Sequence, residues 1–148
     1  MDEKALIPVR SAAIKLLSLR EHSEQELLEK LSKSFNRDLI FPVLLGLKEQ
    51  GLQSDERFAG AFVRMRSRQG KGPQLIGAEL KRRGVESFIY MDLLSDHSEW
   101  NELALHVKCK KFGQSSSKDI KEKAKQMRFL ASRGFNSVNI QYALTRSL

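Results

Sequence analysis

The chain has 148 residues, a 41% apolar share and 26 Lys and Arg against 18 Asp and Glu, a net charge of +8, which suits one domain or a row of small units sharing a continuous core. No apolar run approaches the roughly 18 residues that span a bilayer, and the opening MDEKALIPVR lacks the apolar centre of a signal peptide. A single cysteine, Cys109, excludes an internal disulfide framework, so a reducing cytoplasm is the expected location.

Leu, Ala, Lys, Glu and Arg dominate, which predicts helix. In the first predicted helix Ala13, Leu16, Leu17 and Arg20 recur at 3–4 spacing, with Pro8 expected in its first turn. SEQELLEKL follows, with Ser23 as N-cap, Glu26 completing a capping box, and Leu27, Leu28 and Leu31 as inner stripe. The third helix is predicted from Arg37 to Gln50, stopped by Gly51. Pro42 inside it predicts a late start or a kink. The next unit opens on Ser54 as cap, with Asp55 and Glu56 in the first turn and Phe58, Phe62 and Met65 facing inward. GPQLIGAELKRRG then places Pro73 first and Gly84 as stop, and VESFIYMDLL is a short third helix. The last unit begins at Ser98, with Trp100, Leu103, Ala104 and Val107 inward. KDIKEKAKQMRFLASRG ends at Gly134, and FNSVNIQYAL is capped by Asn136, with Phe135 and Ile140 as hydrophobic staple.

The register repeats. Leu31, Leu80 and Leu130 are followed 14 residues on by Leu45, Leu94 and Leu144, and Gly84 and Gly134 stand alike, whereas the first unit has Phe35 and Asn36. No alternating β-branched run predicts a strand; SFIYM is too short. The fold class is therefore all-α, in three three-helix repeats over 1–53, 54–97 and 98–148 that bury each other's apolar faces.

Charge is unevenly spread. Residues 1–54 hold eight basic and eight acidic side chains, residues 55–98 eight and six, and residues 99–148 ten and four. A neutral first third and a basic remainder point to a polyanion or an acidic protein groove as partner. GKGP, Lys71 among it, resembles a phosphate loop only at a glance. Gly72 and Pro73 follow the lysine where a hydroxyl is needed, and no strand precedes. It reads as a flexible turn before a proline-started helix, able at most to hold one backbone phosphate. His22, His97, His106 and Cys109 do not form a metal set. Cys109 reads as a core or boundary residue, and no His–acid pairing suggests nucleophilic catalysis. No cofactor, metal or enzyme activity is expected.

The basic clusters carry more. Arg64, Arg66 and Arg68 cover a broad side of one helix end, with Lys71 just beyond; Lys81, Arg82 and Arg83 end the next helix. Lys110 and Lys111 end the first helix of the last unit, and Lys118, Lys121, Lys125 and Arg128 form a stripe. Two clusters in consecutive units predict a functional basic face. Two Tyr and one Trp do not make a base-stacking platform, so contacts to phosphates or to a protein's carboxylates are expected rather than base readout. A helix-turn-helix repressor is disfavoured, because ESFIYMDLLSD, the would-be recognition helix, is acidic.

GLQSDERFAGAFVRMRSRQGKGPQLIGAELKRRGV (Gly51–Val85), KKFG (Lys110–Gly113) and RFLASRGF (Arg128–Phe135) resemble the signatures of the RecX family of bacterial recombination regulators, and LSLREHSEQELLEKL (Leu17–Leu31) fits its opening helices. Gln53 and Ser54 replace a more usual Leu-Asn pair, and Phe35 stands where Gly is common. The resemblance implies three tandem three-helix repeats in an elongated, curved module. It implies a cytoplasmic, monomeric protein that binds the RecA recombinase, mostly as a filament on DNA, and inhibits its ATPase, filament extension and strand exchange. Groove occupation and end capping are both open, as is weak single- or double-stranded DNA binding. A DNA-binding module acting without RecA is the alternative. The residues named in the basic clusters are the expected RecA- and DNA-binding face, while Asp55, Phe58, Leu80, Gly84, Phe129 and Gly134 are assigned to fold and turns.

Overall fold

A computed structural model describes residues 3–148. Among them lie nine α-helices and no strand, in three sets of three: α1 Glu3–Leu19, α2 Glu24–Leu31, α3 Arg37–Glu49, α4 Asp55–Arg68, α5 Pro73–Arg82, α6 Ser87–Leu93, α7 His97–Phe112, α8 Ile120–Ser132 and α9 Ser137–Thr145. The starts follow from short polar side chains that accept the free N–H groups of a first turn. Ser23 accepts from the Glu26 N–H while the Glu26 carboxylate accepts from the Ser23 N–H, and Asn136 and Asn139 repeat that reciprocal pairing at α9. Asn36, Asp96 and Asp119 cap α3, α7 and α8, and Ser54 Oγ accepts from the Arg57 N–H at α4.

Four helices end alike. At α3, α4, α5 and α8 a glycine with positive φ follows the last turn. The N–H after each glycine bonds five residues back: Leu52 to Leu47, Lys71 to Arg66, Val85 to Leu80 and Phe135 to Leu130. This is the Schellman closure, which satisfies carbonyls the helix would leave open. The first unit's departure is real: after α2, Phe35 N–H bonds four residues back to Leu31, with no glycine.

Three expectations are corrected. Pro8 lies well inside α1, which starts at Glu3, and Pro42 delays nothing, because α3 starts at Arg37 under its Asn36 cap. Both prolines stand at the sixth helical position, where a single backbone bond is forfeited and packing of the apolar face outweighs it. Of the leucine pairs, the leading Leu31, Leu80 and Leu130 are fully buried, but Leu45 is 58% exposed. The spacing thus marks the middle helix of each set, whereas its third-helix partners differ: Leu144 packs against the core of its unit and Leu45 faces solvent.

The chain divides into two compact units, one of residues up to Ala61 together with Leu80–Tyr90, the other of Phe62–Glu79 with Met91–Leu148. In the first, Val9 and Ala13 of α1, Leu27 and Leu31 of α2, and Ile40, Val43, Leu44 and Leu47 of α3 form the core. In the second, Ala104, Leu130, Phe135, Ile140 and Ala143 form it, with Leu103, Val107, Phe129 and Leu144 packed against it. Phe135 and Ile140 are the predicted staple. Trp100 is buried and donates its indole N–H to the Leu94 carbonyl at 3.1 Å.

The same junction is built once in each unit. In the first, Ser23 Oγ, at the start of α2, donates to the Arg83 carbonyl at the end of α5 (2.8 Å), and Gln25 Nε2 donates to the Arg82 carbonyl (3.2 Å). In the second, Gly72 N–H, at the start of α5, donates to the Arg133 carbonyl at the end of α8 (2.7 Å), and Gln74 N–H donates to the Gly134 carbonyl (2.9 Å). Each unit thus joins the start of one middle helix to the end of another through backbone carbonyls. GKGP is therefore not a flexible turn: its Gly72 N–H, and the Gln74 N–H just beyond it, are pinned to the Arg133 and Gly134 carbonyls.

Beside the first junction lies a buried polar knot. Gln53 donates to the His22 carbonyl and to Asp55 Oδ1, which also accepts from the Glu24 N–H. The His22 ring is 1% exposed. Its Nδ1 lies 2.9 Å from the Arg20 carbonyl and its Nε2 3.3 Å from the Lys30 ammonium, so the neutral ring protonated on Nδ1 satisfies both partners. Burial first, and the charges of Arg20 and Lys30 next, lower its pKa below the ordinary 6.5, against the Arg20 carbonyl and Glu26, which raise it. The folded chain thus binds this proton less readily than the unfolded one. Its contribution is complete above about pH 6.5 and is lost as pH falls below that value. Urea denaturation is expected to give lower stability at pH 5.5 than at pH 7.5, with a smaller difference in His22→Gln; an unchanged difference would remove His22 as the source.

Candidate functional site

The thirteen basic residues singled out by sequence do not behave alike. Arg66 turns from solvent towards α5: its Nε and Nη2 donate to the two Glu79 carboxylate oxygens at 3.0 and 3.1 Å, and its Nη1 donates to Gln69. With 20% and 15% of the two side chains exposed, this is a half-buried, bidentate ion pair. Its charge is consumed inside the fold. In the first unit Arg83 Nε lies 3.6 Å from Glu26, while Lys81 and Arg82 are exposed at the end of α5. Arg64, Arg68, Lys110, Lys111, Lys118, Lys121, Lys125 and Arg128 are exposed, and Lys71 is half-buried.

Within the second unit a cleft of about 520 Å³ opens between the end of α4, α7 and the end of α8. Arg68, Gln69 and Gly70 form one side, Leu103, His106, Val107, Lys110 and Lys111 the next, Phe129 and Arg133 the third. Four cationic side chains line it and no carboxylate does. Phe129 lines it between two of these cations. The Arg133 guanidinium carbon sits 4.9 Å from the ring centroid, the Lys111 ammonium 5.6 Å, and Phe112 packs edge-on at 5.3 Å. The negative ring face holds the two cations in place. Lys71 stands nearby: partial desolvation, then the charges of Arg133 and Arg66, lower its ammonium pKa, with Glu79 opposing. Crowded like charges of this kind favour an incoming anion.

The cleft brings together Arg68, Lys110 and Lys111 of the expected set. Arg64 lines a neighbouring hollow with Arg68 and Glu99. Of the α8 stripe, Lys125 lies one helical turn before Phe129 on the same face, while Lys118, Lys121 and Arg128 are exposed outside the cleft. Phe129, expected as a fold residue, does pack against the core and turns its remaining surface to the cleft. One cleft residue, Arg133, is absent from the expected set. Arg133 stands in the same Arg-Gly dipeptide as Arg83 in the preceding repeat, so the register itself held the signal. Lys108, counted among the positive charges, is fully buried, and its Nζ donates to the Ser115 carbonyl at 3.2 Å. His106 lines the cleft and Cys109 is half-buried. No group of three potential metal ligands occurs among the described residues, and no described helix is long and apolar enough to cross a membrane.

Two family models match the chain: "RecX, second three-helix domain" over residues 54–90 and "RecX, third three-helix domain" over 98–144. The "Regulatory protein RecX" of Chromohalobacter salexigens is 39% identical over 140 residues, 93% of this chain and 91% of that protein. Its namesake from Halorhodospira halophila is 38% identical over 137 residues, 91% and 85% of the two chains. The crystal structure of RecX from Lactobacillus salivarius superposes with a TM-score of 0.81 over 95% of both chains at 22% identity, a likeness of fold.

Proposed function

The chain belongs to the RecX family of regulatory proteins, and from that premise we propose that it binds the RecA recombinase as a filament on DNA and inhibits its ATPase, filament extension and strand exchange. One observation carries the reading beyond the family: the cleft rimmed by Arg68, Lys110, Lys111 and Arg133, with no carboxylate in its lining. Within the same unit Arg64, Lys71 and the exposed Lys118, Lys121, Lys125 and Arg128 add positive charge that would meet an anionic nucleoprotein, and in the other unit Lys81 and Arg82 are exposed as well. Arg66 is withdrawn from it by its pairing with Glu79.

The mechanism is differential affinity. RecA protomers change their mutual arrangement as ATP turns over and as the filament grows. A protein that touches neighbouring protomers and binds one arrangement better opposes the change by that difference in binding free energy and by no more. A tenfold preference corresponds to about 1.4 kcal/mol.

The test is to titrate RecA–single-strand filaments with the protein while following ATP hydrolysis. Hydrolysis is expected to fall to a low plateau at saturation, with an apparent affinity that weakens as salt is raised. Hydrolysis unchanged at saturating protein overturns the inhibitor reading. Tight binding to naked DNA at physiological salt with no effect on RecA would instead mark a DNA-binding module.

A further inference from the structure

We propose that the α4–α7–α8 cleft takes an acidic peptide segment carrying one aromatic or branched aliphatic side chain, presented by a protein partner. The inference rests on the reading of the chain as a regulator that acts by binding another protein, and it names the chemistry of that contact.

Three features select this occupant. The lining holds four cations and no carboxylate, and none of Arg68, Lys110, Lys111 and Arg133 is in an ion pair among the described residues. The two guanidinium groups suit carboxylates geometrically, because each can donate two parallel hydrogen bonds. The floor, by contrast, is apolar. Leu103, Val107 and Phe129 are only partly buried by the core and turn their remaining surface to the cleft. A phosphate backbone alone makes no use of such a floor, whereas a branched or aromatic side chain covers it and removes apolar surface from water. A volume of about 520 Å³ accepts one large side chain with a few flanking residues.

The aromatic residue itself argues against nucleic acid. Stacking a base needs a free ring face. Here Arg133 and Lys111 sit over the Phe129 ring and Phe112 closes on it edge-on. A base would have to displace those cations to stack, losing the contacts that hold them, whereas an apolar side chain needs only the Leu103 and Val107 surface beside the ring. A carboxylate reaches the same cations from solvent and leaves the ring pair intact. Charge complementarity together with an apolar anchor therefore favours peptide over single-stranded nucleic acid.

Fluorescence anisotropy of the full chain at physiological ionic strength tests this with three labelled probes. They are an eight-residue Asp/Glu peptide ending in Leu-Phe, the same peptide with its Phe replaced by Ser, and an oligothymidylate of equal charge. The first is expected to bind at least tenfold more tightly than either of the others. Lys111→Glu is expected to weaken it at least tenfold, and so is Phe129→Ala, each with an unchanged helical circular dichroism spectrum. Should Phe129→Ala unfold, Lys111→Glu on the exposed rim still decides. Equal binding of all three probes, or tightest binding of the oligothymidylate, overturns the proposal. The RecA ATPase titration separates it from the reading above. Peptide binding without any effect on ATP hydrolysis sinks the recombinase reading and leaves the cleft. Inhibition intact alongside absent peptide binding sinks the cleft proposal alone.

Discussion

Gly134→Ala is expected to destabilise the protein by about 3 kcal/mol, the sum of a left-handed backbone that L-residues resist by about 1–2 kcal/mol and a clash of overpacking size. The residue has φ +98°, and an added Cβ would stand 2.4 Å from Leu75 Cβ and 2.8 Å from the Leu75 nitrogen. Neither neighbour can yield cheaply, because Gly72 and Gln74, which flank that chain, donate their N–H groups to the Arg133 and Gly134 carbonyls. Gly72→Ala meets the same junction from the other side, with Gly134 backbone atoms at 2.5 Å, although its own φ is unremarkable. A series makes the test specific. Gly51→Ala keeps a positive φ with no atom within 4 Å, so only the conformational cost of about 1 kcal/mol applies. Gly46→Ala, inside α3 with nothing within 4 Å, is expected to stabilise by about 0.5–1 kcal/mol. In urea denaturation the order of midpoints should be Gly46→Ala, wild type, Gly51→Ala, then Gly72→Ala and Gly134→Ala together. For a chain of this size the last two should lower Tm by roughly 6–12 °C. Gly134→Ala no worse than Gly51→Ala would mean that the two loops do not hold each other.

What was legible in the sequence, and what was not, divides along the range of the forces involved. Helix ends are local. A cap needs a short polar side chain within three residues, and a Schellman stop needs a residue that accepts positive φ, so Ser23, Asn136, Gly84 and Gly134 could be read directly. The leucines at 31, 80 and 130 were legible because three copies agree. Their partners 14 residues on were not equivalent, since Leu45 of α3 faces solvent at 58% exposure. Prolines misled in the direction propensity always misleads: one lost backbone bond is small against a buried helix face such as Ile40, Val43, Leu44 and Leu47. The basic face was legible as composition but not as geometry. Whether a charge is free depends on what the fold sets opposite it. Arg66 meets Glu79 thirteen positions on, Lys108 is buried against the loop at Ser115, and Arg133 is freed for the cleft by lying on Phe129. No periodicity in the chain announces any of those three.

The contrast between Arg66 and Arg68 turns that distinction into the second large effect. The two lie two positions apart on α4, 200° around the helix, so they cannot share a role. Arg66→Ala removes both charge-assisted hydrogen bonds from a Glu79 side chain that is 15% exposed. Such bonds contribute about 1.5–3 kcal/mol each to charged groups, partly recovered where water reaches the carboxylate. The expected loss is about 2–3 kcal/mol of stability, and a double-mutant cycle with Glu79→Ala should return most of it as coupling. Arg66→Lys keeps the charge, loses the fork, and should fall between. Arg68→Glu, exposed on the cleft rim with no ion pair, should change stability by less than about 0.5 kcal/mol. It should nevertheless weaken filament inhibition roughly tenfold, about 1.4 kcal/mol of binding, with most of the difference disappearing at high salt. Arg66→Ala, assayed at a temperature where it remains folded, should inhibit nearly as well as wild type. If Arg66→Ala abolishes inhibition while fully stable, or Arg68→Glu inhibits normally at low salt, the division of α4 into a packing face and a binding face is wrong. The positive charges would then act as one undifferentiated field rather than through the cleft.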